Sequence, residues 1–116
     1  MHELSLCENL LEQVLSIAQQ NKAKKIESIT INIGGLSGVE PLLLENAFAI
    51  LKLDTLAEQA QLIINHTPIV IECHQCGNQS MAIANQLLCN VCQSADTHLI
   101  SGDELILANV SLYTVS

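Results

Sequence analysis

The sequence predicts an α+β fold: two helices packed on a small three-stranded sheet, with a cysteine-bearing insert ahead of the last strand. Three observations lead there. Two stretches repeat apolar residues at helical spacing, three short stretches read as strands, and two Cys-x-x-Cys pairs fall between the second strand and the last. At 116 residues the chain is one domain, or one domain with a small appendage. Half of it is apolar, with one Phe, one Tyr and no Trp, so the core is Leu, Ile, Val and Ala.

Residues 4–20 read as an amphipathic helix. Leu4, Cys7, Leu11, Val14 and Ala18 form its apolar stripe, Leu10 and Ile17 widen it, and Glu8, Glu12, Gln13, Gln19 and Gln20 lie mostly opposite. Ser5-x-x-Glu8 fits a capping box, a start nearer Glu3 fits equally well, and Asn21 is a stop signal. Ile29, Ile31 and Ile33 alternate with Thr30 and Asn32 as a half-buried strand, which Gly34-Gly35 and Gly38 end in a loop. Glu40-Pro41 opens a second helix, with Pro at the tolerated first position and Leu44, Ala47, Phe48 and Leu51 as the apolar face. Leu62-Ile63-Ile64 reads as a strand, and Ile69-Val70-Ile71 leads from Pro68 into the first cysteine pair. After a polar segment from Gln93 to His98, residues 104–115 form a final strand with Ile106, Ala108, Val110 and Leu112 on one face.

Cys73-His-Gln-Cys76-Gly77 and Cys89-Asn-Val-Cys92 have the spacing of a zinc ribbon. Each pair brings two sulfurs to one ion, and the loop between the pairs brings the second to it from the opposite side. Four thiolates suit tetrahedral Zn²⁺ and leave no open position, so the ion is structural rather than catalytic. Gly77 supplies a residue that turns back with positive φ at no steric cost. Two competing readings are weaker. Disulfides belong to secreted chains, which nothing else here suggests, and thioredoxin-like sites use a single Cys-x-x-Cys at a strand-to-helix turn. The expected organisation is a discontinuous α/β domain, residues 1–69 plus 101–116, and a zinc-ribbon domain over residues 70–100.

Charge narrows the function. Twelve acidic residues face four lysines and no arginine, a formal charge of −8. A chain without a basic surface is a poor nucleic-acid binder, even though many zinc ribbons bind nucleic acid. It suits a basic protein partner or a cation. No signal peptide and no apolar run of membrane-spanning length are visible. Free thiols that hold zinc need a reducing compartment, so a cytoplasmic location with no membrane partner is expected.

The chain begins Met1-His2-Glu3. The terminal amine of Met1, the His2 imidazole and nearby backbone amides can wrap one cation, and such nitrogens favour Ni²⁺ or Cu²⁺ in square-planar geometry. Glu3 adds its amide and a carboxylate. Taken alone this is a weak signal, because most histidines at such a position are simply solvated.

Three motifs occur together and in order: Met1-His2-Glu3-x-Ser5, Gly34-x-Leu36-Ser37-x-Val39-Glu40-Pro41 and the paired Cys-x-x-Cys. Thr55-Leu56-Ala57-Glu58-x-Ala60-x-Leu62 joins them. As an ordered set they resemble the HypA/HybF family of hydrogenase-maturation nickel metallochaperones, almost end to end. The resemblance implies a nickel-binding α/β domain and a zinc domain. It implies Ni(II) as transient cargo on His2, the Met1 amine and nearby backbone nitrogens, with Glu3 a further nickel-site residue. It implies structural Zn(II) on Cys73, Cys76, Cys89 and Cys92. It also implies delivery to the large-subunit precursor of [NiFe] hydrogenase, with a GTPase partner, and in some members service to urease; the assembly is a monomer or a homodimer. The family usually has Pro where this chain has Asn90, a loss of loop rigidity but of no ligand, and often an acidic residue where this chain has Leu42.

Other residues carry less. Cys7 sits on the apolar stripe and reads as core. Glu40 is read either as a helix cap or as a participant in nickel release. His74 and His98 are read as solvated residues or as replacements for a thiolate, and His66 as structural or exposed. Gly34, Gly35 and Gly38 lack the spacing of a phosphate cradle, and no catalytic constellation is visible, so the expected role is not an enzyme. The alternative is a zinc-ribbon adaptor in a protein or nucleic-acid complex.

Overall fold

A computed structural model describes residues 2–114, and for His2 the backbone alone. The element order is α1 (His2–Gln20), β1 (Lys25–Gly34), α2 (Pro41–Leu51), β2 (Gln61–Thr67), β3 (Ile69–Cys73), β4 (Gln79–Ala82), β5 (Thr97–Ser101) and β6 (Leu105–Tyr113). Two three-stranded sheets result, in the orders β2-β1-β6 and β4-β3-β5. The chain divides into two compact units. One comprises Met1–Ile31, Val39–Asn65 and Ile106–Ser116; the other comprises Asn32–Gly38 and His66–Leu105.

The first unit carries the larger core. Cys7, Leu11, Val14 and Ala18 of α1 are buried, as are Ile26, Ile29 and Ile31 of β1 and Leu44, Ala47 and Phe48 of α2. Side chains from α1, β1, α2 and β2 line one small apolar hollow, among them Cys7, Val14, Ile31, Phe48 and Leu62, so both helices face the sheet. Burying these side chains is the main term that holds the unit together.

The helix starts at His2, not at Ser5, so Ser5-x-x-Glu8 is not its cap. Glu3 rather than Leu4 heads the inward stripe: Glu3 is buried and Leu4 is 38 % exposed. The helix ends as expected. Asn21 donates from Nδ2 to the Ile17 carbonyl at 2.8 Å, and Lys22 turns to φ 55. At α2, Glu40 is the N-cap residue, with φ −89 and ψ 113, and its carboxylate accepts from the Leu42 N–H at 3.4 Å. Pro41 follows where a missing N–H costs nothing.

β6 runs antiparallel to β1: the Lys24 N–H donates to the Tyr113 carbonyl at one end, and the Gly34 N–H donates to the Glu104 carbonyl at the other. The expected apolar face is covered only in its second half: Val110 and Leu112 are partly covered, but Ile106 is 48 % exposed and Ala108 is exposed, while Leu105 and Leu107 on the opposite face are partly covered. Period-two alternation places residues on two faces but does not say which face the rest of the chain covers. The last residue of the expected strand, Val115, lies outside the described residues.

In the second unit β3 is central and pairs antiparallel with both β4 and β5. Ile69, Ile71 and Cys73 alternate as its buried face. β5 occupies Thr97–Ser101, part of which reads as a polar connection in the sequence. Gly34 and Gly102 lie together in this unit. A Cβ on Gly34 would overlap the Gly102 carbonyl, and one on Gly102 would come within 2.7 Å of the Ile69 Cα. At Gly34 the three nearest atoms are all backbone, so no side chain there can yield. Gly34→Ala is therefore expected to destabilise by about 1–3 kcal/mol, read as a lowered urea midpoint; an unchanged midpoint would refute the close approach.

Candidate metal centre

Two chain reversals of the same design build the centre. In the first, the Gly77 N–H donates to the Cys73 carbonyl at 3.0 Å, and the Cys73 N–H donates to the Asn78 carbonyl at 3.0 Å. In the second, the Gln93 N–H donates to the Cys89 carbonyl at 2.9 Å, and the Cys89 N–H donates to the Ser94 carbonyl at 3.0 Å. Both need a left-handed residue just past the second cysteine. Gly77 fills that place at φ 76, as the sequence predicts, and Gln93 fills its counterpart at φ 66. The second was missed in the sequence, because no glycine marks it.

The four Sγ atoms converge within 4.8 Å of one another. Cys73 Sγ lies 3.5 Å from Cys92 Sγ, and Cys76 Sγ lies 3.6 Å from Cys89 Sγ. A tetrahedral Zn²⁺ with Zn–S bonds near 2.3 Å needs its sulfurs about 3.8 Å apart, so the residues fit that ion. All five cysteines are free thiols, and these separations far exceed a disulfide bond of about 2.05 Å. The first cysteine of each pair is buried and the second exposed.

N–H groups point at the sulfurs. Cys73 Sγ accepts from the N–H groups of Gln75 (3.3 Å) and Cys76 (3.5 Å), Cys89 Sγ from that of Val91 (3.3 Å), and Cys76 Sγ from Asn78 Nδ2 (3.3 Å). Such donors favour thiolate over thiol. The Cys76 N–H foremost holds the Cys73 thiol below its ordinary value. The Asn78 backbone N–H, then its side chain, brings Cys76 down to about 6. Cys92 goes the other way: the Ser94 N–H lowers it, but Cys73, burial and the other two thiols together push it up to about 12. Like-charged sulfurs this close cannot all shed protons unaided, and a bound Zn²⁺ supplies the charge that lets them.

Asn90, at the position where the family resemblance leads one to expect proline, ties the second reversal to β4. Its N–H donates to Ser80 Oγ at 3.3 Å and its Nδ2 to the Met81 carbonyl at 2.9 Å. A proline at this position could make neither bond.

The other named residues are placed as follows. Met1 and the side chain of His2 lie outside the described residues. Glu3 is buried, and its Oε2 accepts from the Glu40 N–H at 3.1 Å. This bond joins the first turn of α1 to the residue that caps α2, and nothing in the sequence pattern points to it. Cys7 is buried on the core stripe; burial, and then Glu8, pushes its thiol up to about 11. His66 is exposed. His74 and His98 are both exposed and meet each other: His98 Nδ1 lies 2.7 Å from His74 Nε2. His74 Nδ1 lies 2.9 Å from Asp96 Oδ1, and the imidazole holds the Asp96 carboxyl below its ordinary value.

Comparison with known proteins gives a consistent answer. Residues 1–112 match the family model described as hydrogenase/urease nickel incorporation, metallochaperone, hypA. The chain is 42 % identical over 114 residues to the hydrogenase maturation factor HypA of Nitrosospira multiformis, covering 98 % of this chain and 99 % of that one. It is 40 % identical over 112 residues to the protein so named in Aquifex aeolicus, covering 97 % of each. Among solved structures it is similar to the Ni metallochaperone HypA from Helicobacter pylori, with a TM-score of 0.68 at 25 % identity, covering 97 % of this chain and 98 % of that one.

Two outcomes are expected. Gln93→Val, a β-branched residue in a left-handed position, should lower the stability of the zinc-loaded protein by about 1–2 kcal/mol, whereas Gln93→Gly is tolerated; thermal melts of the two variants decide this. With zinc bound at neutral pH, none of the five thiols should react with a thiol reagent. A chelator then exposes four, and Cys7 waits for denaturant. The folded state holds the Cys7 proton more tightly than the unfolded state. That contribution is whole below pH 9 and falls away as the pH rises from 9 towards 11. Early labelling of Cys7 would contradict the buried assignment.

Proposed function

We infer what this protein does from the premise that it belongs to the HypA family, the metallochaperones of hydrogenase and urease nickel incorporation. It is a nickel metallochaperone of hydrogenase maturation, and its four-cysteine centre is suited to structural zinc.

The finer reading concerns where the cargo sits. We assign Ni(II) to the amino terminus: the Met1 amine, the His2 imidazole, and backbone nitrogens that include that of Glu3. The observation that carries this reading is that α1 begins at His2. The first turn of a helix leaves its N–H groups without partners inside the helix, so nickel can take main-chain nitrogens there without breaking the helical ladder. Glu3 contributes through its main-chain nitrogen and through its bond to Glu40, which steadies the turn that carries the site.

A cargo site must hold and release, and a chain end suits that, because a partner can reorder it at small cost in packing. The closed thiolate centre suits the opposite task. We place the zinc-ribbon domain at residues 70–100 and the nickel domain at residues 1–69 plus 101–116. The protein carries metal rather than catalysing a reaction, and any GTP hydrolysis comes from a partner GTPase. The large-subunit precursor of [NiFe] hydrogenase is the recipient, and the cytoplasm, where thiols stay reduced, is the place of action. Exposed Leu42, Ile50 and Leu53 on and just after α2 support a protein partner, and the charge of −8 argues against nucleic acid.

The test is metal analysis of untagged protein titrated with Ni²⁺. One resident Zn²⁺ and one tight Ni²⁺ per chain are expected, the latter with a weak square-planar absorption band. His2→Ala should weaken that nickel by more than about tenfold, or ~1.4 kcal/mol, and keep the zinc. Unchanged nickel affinity in His2→Ala would refute the assignment.

A further inference from the structure

Outside the sulfur cage the second unit carries a cluster whose ring nitrogens are paired in an unusual way. β3 and β5 are in register so that Glu72 sits opposite His98. The His74 N–H donates to the Asp96 carbonyl at 2.9 Å, which brings the first cysteine reversal against the approach to β5. The side chains extend this frame. Glu72 Oε1 lies 3.3 Å from His98 Nε2, His98 Nδ1 lies 2.7 Å from His74 Nε2, and His74 Nδ1 lies 2.9 Å from Asp96 Oδ1. Gln75 Nε2 donates to the other Asp96 oxygen at 3.4 Å.

All four ring nitrogens thus have partners, and none of these is a sulfur. The two histidines are partnered with each other and with two carboxylates. His98 Nδ1 and His74 Nε2 face each other at 2.7 Å, with a carboxylate behind each ring, and a shared proton or a metal ion can bridge two such nitrogens. An imidazole whose far nitrogen donates to a carboxylate is also the usual form of a metal-bound histidine, because the carboxylate fixes the tautomer and raises the basicity of the ligating nitrogen.

We propose that His74 and His98 form a second divalent-cation site on the zinc-binding unit, taking imidazole-preferring first-row ions such as Ni²⁺ through His74 Nε2 and His98 Nδ1, with Asp96 and Glu72 as the carboxylates behind them. Two nitrogens bound at 2.0–2.1 Å to one ion stand about 2.9–3.4 Å apart, a few tenths of an ångström beyond the observed spacing. Small ring rotations supply this, since the side chains of His74 and His98 are 49 % and 44 % exposed. Water completes the coordination. With two protein ligands the site binds more weakly than a terminal chelate, and two carboxylates balance the charge of the ion. The centre of the Cys₄ cage takes no part.

The test uses zinc-loaded His2→Ala protein, so that the amino-terminal site does not contribute. Titrated with Ni²⁺ at constant pH, it should bind one weak equivalent, and the ring resonances of His74 and His98 should broaden selectively while one Zn²⁺ per chain is retained. Adding His98→Gln should weaken that equivalent at least tenfold, and Asp96→Asn should weaken it about 10–100-fold. No weak equivalent, one that persists unchanged in His98→Gln, or Ni²⁺ binding that leaves both rings unbroadened would overturn the site. If His98→Gln loses its zinc, the ring broadening in the His2→Ala protein decides by itself. Tight nickel binding that survives His2→Ala would count against the amino-terminal assignment and leave this test readable through the two histidine rings.

Discussion

The convergence of four sulfur atoms is the constraint on which the second unit depends. Among the described residues, twelve buried apolar side chains belong to the first unit and five to the second, and two of those five are cysteines. Three isoleucines are too small a core to offset the ordering of more than forty residues. A bound metal ion makes up the difference, because its binding free energy is folding free energy when no site exists in the unfolded chain. The two matched reversals, the N–H groups aimed at sulfur and the left-handed Gln93 all serve this one end.

The first unit has the opposite economy. Its helices and strands supply the larger aliphatic core, and a polar contact ties two of its elements within it. The bond from the Glu40 N–H to Glu3 is the informative one. It fastens the first helical turn, next to the proposed cargo site, to the start of α2. A protein that delivers an ion needs a firm body and an end that can be reordered, and a single hydrogen bond of this kind has about the right strength to be broken by a partner.

Much of this was legible in the residues. The inward stripe of α1 from Cys7 to Ala18, the Glu40-Pro41 start of α2 and the isoleucines of β1 follow from periodicity and local chemistry. The zinc ligands follow from spacing. Leu4 and the first half of the β6 face did not. A hydrophobic index makes Leu4 look like core and Glu3 like surface, yet Glu3 is buried because an N–H from another element waits for its carboxylate. β4 and β5 escaped notice because they are short and largely polar, and strands of that kind are made by pairing with β3 rather than by their own pattern.

By itself, the sequence determined the ligand set of the sulfur cage, the order of the principal helices and strands, and the acidic, arginine-free character that argues against nucleic acid. These are properties of residue type and of short separations along the chain. Tertiary structure alone decided which carboxylate meets which amide, that Asn90 ties the second reversal to β4, and that His74 and His98 find each other across twenty-four positions. Such contacts depend on strand register and on the direction of single side chains. No local pattern encodes either, because both are set by the packing of segments distant in sequence.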